Sequence, residues 1–255
     1  DRLDYLRRDS FYTGVTEGTI GSERIIKMLN VANDQLVVDA KGIYSIEKFL
    51  IARRLMYWQV YLHKTVLAAE QLLVKILKRA KMLAGSKEKL FATPALEFFL
   101  YHDVNRDSLF SEAGSFDRKK VLEQFSDLDD NDIISAAKVW AYHPDFILSY
   151  LCKAMINREL FRIEIRNNPF DEDYVNSIKR AVKSKCRVDE PHIDYFVFTD
   201  SVSNSAYVPG DSKIKILSGD NTLTDITDAS DMLNTSVLSK TIRKYFLCYP
   251  KNIQP

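Results

Sequence analysis

Glycine and proline are scarce in this chain, at 8 and 7 of 255 residues, and most fall in a few short clusters that mark boundaries between regular segments. There is no internal repeat and no low-complexity stretch. Cysteine is sparser still. Cys152, Cys186 and Cys248 are odd in number, far apart and without a C-x-x-C spacing. That argues against a disulfide framework and against a thiolate zinc site, and fits a reducing, cytoplasmic setting. Charge interrupts every apolar stretch well short of the ~18 residues a membrane span needs. The first residues lack the basic-then-apolar pattern of a signal peptide. Neither sign of charge is in excess, with Lys plus Arg at 36 and Asp plus Glu at 35. No global basic field favours nucleic acid, and no acidic bias suggests a solvating tail. Any phosphate chemistry must come from local basic residues. No G-x-x-x-x-G-K-S/T, G-x-G-x-x-G or G-x-S-x-G pattern occurs, which removes the common phosphate-loop, dinucleotide and hydrolase-elbow readings.

What is present is an ordinary globular composition, 46% hydrophobic and 28% charged, in a length that holds one large domain or two smaller ones. The apolar period is helical for the first ~155 residues. Ser45 to Leu83 is the clearest case: Ile46, Phe49, Leu50, Val60, Val66, Leu67, Leu73, Ile76 and Leu77 hold one stripe, with Gly85 as a stop. This predicts one long helix or two nearly collinear ones. Shorter helices are expected from Pro94 through Phe99, Arg118 to Phe125, Asp132 to Ala141 and Phe146 to Arg158, with a break at His143-Pro144. From Glu159 the pattern turns to strands, around Phe161 to Ile165, Ile193 to Thr199, Lys213 to Leu217 and Lys244 to Tyr249. A helix, Asp171 to Lys183, lies among them. The expectation is a mainly α protein, a helical domain over 1–158 followed by a small α+β domain over 159–255.

Two apparent motifs are discounted. His102-Asp103 ends a short helix with no ligand partner nearby in sequence, and reads as a cap or surface pair. DLDDND, from Asp127 to Asp132, resembles the start of a calcium loop. It has Asp132 where glycine is required and Lys138 where the bidentate glutamate belongs. It is better read as the acidic approach to a helix N-terminus.

Two constellations remain. The opening DRLDYLRRDSFYTGV, read as a helix, places Asp1, Tyr5 and Asp9 on one stripe at a spacing of four, beside Arg2, with Leu3 and Leu6 on another side. Within FLIARRLMYWQVYLHK, Arg53, Tyr57 and Tyr61 recur at a spacing of four, with Lys64 a turn beyond and His63 beside it. Guanidinium and ammonium bind phosphate while a phenol stacks or hydrogen-bonds, so this combination suits a phosphorylated, ring-bearing ligand. An exposed helix laced with Asp and Arg pairs, and a helix whose long side chains snorkel past a core, account for the same residues without a ligand.

The opening closely resembles the HD-domain phosphohydrolases, in particular their deoxynucleoside triphosphate triphosphohydrolase branch. There a D-(K/R)-x-D-Y-x-x-R-D segment carries the last metal ligand and an R-x(7)-Y-x-x-K segment follows on a long helix. Here these read Asp1, Arg2, Asp4, Tyr5, Arg8 and Asp9, then Arg53, Tyr61 and Lys64. The resemblance implies the C-terminal half of a helical HD domain, with Asp1 as a ligand of a divalent metal (Mg, Mn, Fe or Zn). It implies Arg2 and Arg53 on the triphosphate, Asp1 and Arg2 as the catalytic pair, and Tyr5, Asp9 and Tyr61 facing sugar or base. Lys64 matches a position that in some members serves an effector nucleotide. Many relatives are oligomers, and the resemblance implies a homo-oligomer here as well. The family's other ligands, a histidine and a His-Asp pair, stand upstream of this segment, whereas His63, His102, His143 and His192 all follow it. The chain is therefore expected to be the C-terminal part of a longer protein, with its metal held mainly by ligands elsewhere and with dNTPs as substrates. The competing reading is a catalytically silent nucleotide-binding or oligomerisation module. An upstream His and His-Asp pair in the gene would separate the two.

Overall fold

The computed structural model of the protein describes residues 1–110, 116–204, 214–231 and 241–253. The protein is mainly α with small sheets. Its chain divides into two compact units. One comprises Asp1–Val66, Ile165–Phe170 and Thr199–Phe246, the other Leu67–Glu164, Asp171–Phe198 and Leu247–Pro255. Among the described residues no helix is long and apolar enough to cross a membrane.

The first unit opens with helix α1, Arg2–Thr13, which ends at Gly14 in the left-handed conformation (φ 71°), as a helix stop requires. A 3-10 turn, Thr16–Gly18, leads to α2, Ser22–Lys27. A hairpin then interrupts the helical run: β1, Leu29–Ala32, pairs antiparallel with β2, Gln35–Asp39, in the register Leu29↔Val38 to Ala32↔Gln35. This corrects the expectation of helix throughout the first ~155 residues. Asn33 and Asp34 both take positive φ, 52° and 58°, which is the demand of a two-residue hairpin turn. The hairpin's further partners are far along the chain. β2 pairs parallel with β5, Lys215–Leu217, and β5 antiparallel with β6, Leu223–Asp225. Strand stability here thus comes from pairing that local periodicity does not report.

The segment expected as one long helix is interrupted. Helix α3, Ile43–Met56, passes into a π turn, Tyr57–Tyr61, and the helix breaks at Leu62 and His63 before α4, Lys64–Gly85, begins. In this unit Leu6, Ile25, Val38, Ile46, Phe49, Leu50, Met56, Ile216 and Ile226 form one buried cluster, so α1, α2, α3, the sheet and the short helix α11, Ile226–Ala229, share a core. The turn is pressed against this core. A Cβ on Gly18 would come within 2.7 Å of Met56 Sδ and 2.8 Å of Ser10 Cβ.

In the second unit α5, Pro94–Tyr101, carries its proline in the first turn, where the missing N–H costs nothing. Helix α6, Arg106–Phe110, is a short one; α7, Arg118–Asp127, is capped by Asp117, and α8, Asp130–Trp140, by a capping box of Asp129 and Asp132. The acidic run is indeed a helix start. Helix α9, Phe146–Ile156, is capped by Asp145, and α10, Glu172–Cys186, by Asp171. The apolar run at Ile193 forms a 3-10 turn, Glu190–Tyr195, in place of the expected strand, which begins only at Phe198. Pro191 in the first turn favours the tight helix, and Phe196 and Val197 reach full burial without a ladder. Strands β3, Arg162–Arg166, β4, Phe198–Asn204, and β7, Ile242–Tyr249, form a sheet in the order β3-β7-β4; each has residues in both units, and Lys244 of β7 belongs to the first. The part of the expected 213–217 strand at Lys213 lies outside the described residues. The three cysteines are free thiols.

A buried ion pair locks the second unit. Arg79 grips Asp145 through two bonds, Nε to Oδ1 at 3.0 Å and Nη2 to Oδ2, with the two side chains 8% and 15% exposed. The same carboxylate accepts from the Leu148 amide at 2.8 Å. Burial alone would raise the Asp145 carboxyl. The hydrogen bonds from Arg79 and Leu148 and the Arg79 charge outweigh it and hold the group below the usual carboxylate range.

Arg79→Met should cost about 3–5 kcal/mol, because it strands a buried carboxylate; denaturant unfolding followed at buried Trp140 measures it. Asp145 titrates below its unfolded value, so its contribution is whole above pH ~4 and fades as pH falls through the folded value. The stability gap between the wild-type and Asp145→Asn chains should therefore be flat above that pH and narrow below it. Gly18→Ala should cost roughly 1–3 kcal/mol by overpacking, a loss readable as a lowered denaturation midpoint with an unchanged slope.

Candidate functional site

All of the residues singled out in the two sequence constellations belong to the first unit. Asp1 is the N-cap of α1. Its backbone carbonyl accepts from the Tyr5 amide at 3.0 Å, while its side chain makes no capping bond and stays exposed. Arg2 is exposed one residue on. Asp4 faces solvent in an i,i+4 pair with Arg8 at 2.8 Å, both more than half exposed, an interaction worth a few tenths of a kcal/mol. Tyr5 and Asp9 are only partly exposed and face α3 and the π turn.

The centre of the arrangement is a bond between the two motifs. Tyr61 Oη donates to Asp9 Oδ2 at 2.5 Å across 52 residues of sequence. Burial raises the Tyr61 phenol well above its ordinary pKa, and the hydrogen bond to Asp9 and the Asp9 charge add to the rise, so the phenol remains a donor. The second carboxylate oxygen of Asp9 has no hydrogen bond from the described residues. Around this bond the rings stand edge to face, Tyr5 on Tyr61 at 6.0 Å and Tyr57 on Tyr61 at 5.2 Å. The Arg53 guanidinium lies over the Tyr57 ring at 5.5 Å. Arginine, three tyrosines and an aspartate thus meet on one wall, cation at one end and phenol–carboxylate pair at the other.

Lys64 and His63 sit differently. The helix stops at Leu62, so Lys64 starts a new helix, and helical periodicity does not carry it onto the Arg53, Tyr57, Tyr61 stripe. Lys64 and His63 are both exposed. Two contacts of the π turn were invisible to the helical pattern: Gln59 to Glu17 at 3.3 Å, and Lys244 over the Trp58 ring at 4.2 Å. The available signal was a Trp-Gln pair between two tyrosines. Its partners come from a turn and a distant strand, which no local period encodes.

The residues present do not by themselves fit a divalent ion. Asp1 is one exposed carboxylate, and among the described residues no group of three or more His, Cys, Asp or Glu side chains could hold a metal.

Comparison with known proteins bears on these residues. Residues 20–93, which include Arg53, Tyr57, Tyr61 and Lys64, match the family described as HD associated region. The chain is 30% identical over 260 residues to the uncharacterized protein YwfO of Bacillus subtilis (strain 168), an alignment covering 99% of this chain and 55% of that protein. Its fold matches the crystal structure of a phosphohydrolase from Bacteroides thetaiotaomicron VPI-5482 with a TM-score of 0.87 and 53% identity, over 97% of this chain and 60% of that one. A hypothetical protein from Aquifex aeolicus shares the fold at a TM-score of 0.62 and 24% identity, over 98% of this chain and 53% of its own. The chain thus spans a little over half the length of the relatives it matches. The match over residues 20–93 and the likeness to a phosphohydrolase together support the HD-domain superfamily for this chain.

Proposed function

We propose that this chain supplies the sugar- and phosphate-binding wall of a metal-dependent HD-type phosphohydrolase that cleaves dNTPs to deoxynucleoside and tripolyphosphate. The observation that carries the reading is the Tyr61 to Asp9 bond, which joins the two segments that resemble the dNTP triphosphohydrolase motifs. The phosphohydrolase relative, at 53% identity, supports the reaction class. In this assignment Arg53 and Arg2 neutralise the triphosphate, and Asp9, held by Tyr61, accepts from a sugar hydroxyl through its second oxygen. Tyr5, Tyr57 and Tyr61 offer ring edges and faces to the sugar or base. Lys64 is a phosphate or effector contact on the neighbouring helix. Asp1 is one ligand of a divalent ion whose remaining ligands lie outside the described residues. The chain's own contribution is binding and orientation, with cations placed where charge develops on the phosphoryl oxygens.

In the complete protein, Arg53→Ala should lower kcat/KM by an amount equivalent to roughly 2–4 kcal/mol while folding is kept. Unchanged kcat/KM in a folded variant would remove this helix from the site.

Tyr61→Phe and Asp9→Asn should act through substrate binding, raising KM by the equivalent of about 1–3 kcal/mol, as for a hydrogen bond with a charged partner. Asp4→Asn, which loses only the exposed pair with Arg8, should leave KM as it is. Steady-state kinetics on the three variants decides, and equal effects from Asp4 and Asp9 would reduce α1 to an exposed acidic helix.

A further inference from the structure

The π turn Tyr57–Tyr61 bears two tyrosines of the candidate site, and a third ring in it, Trp58, lies under the ammonium of Lys244. π geometry is rare in proteins and appears mostly as single-turn insertions in α-helices, frequently at functional sites. Here its signature is the Leu62 N–H donating to Tyr57 O at 2.7 Å, an i to i+5 bond. The insertion sets the angular position of everything after it. A return to α geometry would turn the following side chains by about one residue's worth of rotation, roughly 100°. Three side chains of the turn are tied to three different elements. Gln59 donates to Glu17, Tyr61 donates to Asp9, and Trp58 lies under the Lys244 ammonium, 4.2 Å from its ring centroid. Lys244 is on β7 and Trp58 is partly buried, so strand and turn are joined at a half-desolvated contact.

We propose that Lys244 is a positioning residue of the site: by holding the Trp58 ring it keeps the π turn in the register that places Tyr61 on Asp9. Trp58 and Tyr61 belong to the same turn, so a change of backbone register that withdrew the indole from the strand would move the phenol as well. A cation is required for this, because an apolar side chain of equal length would cover the ring without the attraction of its face for positive charge. The functional consequence rests on the nucleotide-binding reading above, while the structural claim does not.

The test uses the full 255-residue chain and two measurements. Hydrogen exchange at the Leu62 amide reads the π turn directly. Lys244→Met should speed it about five- to tenfold, and Lys244→Arg, which keeps the cation, should restore it. Trp58→Phe, with a weaker ring face, should fall between, and it serves if Lys244→Met fails to fold. Unchanged exchange in a folded Lys244→Met or Trp58→Phe chain overturns the proposal. The second measurement is binding of dATP and of inorganic tripolyphosphate by calorimetry. Lys244→Met should weaken dATP several-fold and leave tripolyphosphate unaffected, since Tyr61 faces sugar or base and Arg53 the phosphates. Equal loss for both ligands, or none for dATP, overturns the functional role of Lys244. A wild-type chain that binds neither ligand counts against the nucleotide-binding reading, and the exchange result then stands or falls by itself.

Discussion

The candidate site depends on how closely the Thr16–Gly18 turn can lie against helix α3. The atoms of Met56 and Ser10 stand where a side chain on Gly18 would be, so the absence of a Cβ sets the approach of turn and helix. Ser10 Oγ donates to Val15 O at 2.7 Å, and Gly14 reverses the chain in the left-handed conformation. These features fold the end of α1 back onto its own turn. With Leu6 and Met56 fully buried in one core, α1 packs on α3 at a fixed height, and Asp9 arrives opposite Tyr61. A longer separation would leave a partly buried phenol and a partly buried carboxylate without each other, and each would then carry its desolvation cost alone.

Burial also separates three aspartates that the linear sequence presents alike. Asp4 keeps its water and an exposed arginine, so its charge is screened and its pairing is weak. Asp9 is half withdrawn from water and bonded to a phenol whose proton is held more tightly, first by burial and then by this bond. Asp1 begins the helix and spends none of its side chain on capping it. The same logic runs through the second unit, where Asp129, Asp145 and Asp171 are all helix caps but only Asp145 also closes on a buried arginine. A carboxylate's role here follows from its access to water and its donors, not from its place in an acidic run.

Much of the fold was legible because helices report themselves locally. Pro94, the acidic run before Asp130, Asp145 and Asp171 each mark a helix start through groups that act within three or four residues, and the stripes behind them follow. The hairpin at Asn33-Asp34 was legible in principle, as two residues suited to positive φ between short apolar runs. It was lost against a helical background because β2 takes its further partner, β5, from the far end of the chain. The run at Ile193 was apolar on every face, and such a run does not distinguish a buried strand from a buried turn.

By itself the sequence determined the residue types of the site and their spacing: Asp1, Arg2, Tyr5 and Asp9 in one segment, Arg53, Tyr57, Tyr61 and Lys64 in another. It determined a mainly helical protein as well, since propensity, caps and period act over a few residues and need no partner. Only the tertiary structure decided that Tyr61 meets Asp9, that the helix passes through a π turn before it breaks, and that Lys244 reaches Trp58. Those outcomes turn on packing distance and on contacts between segments far apart in the chain, and a one-dimensional period carries no information about either.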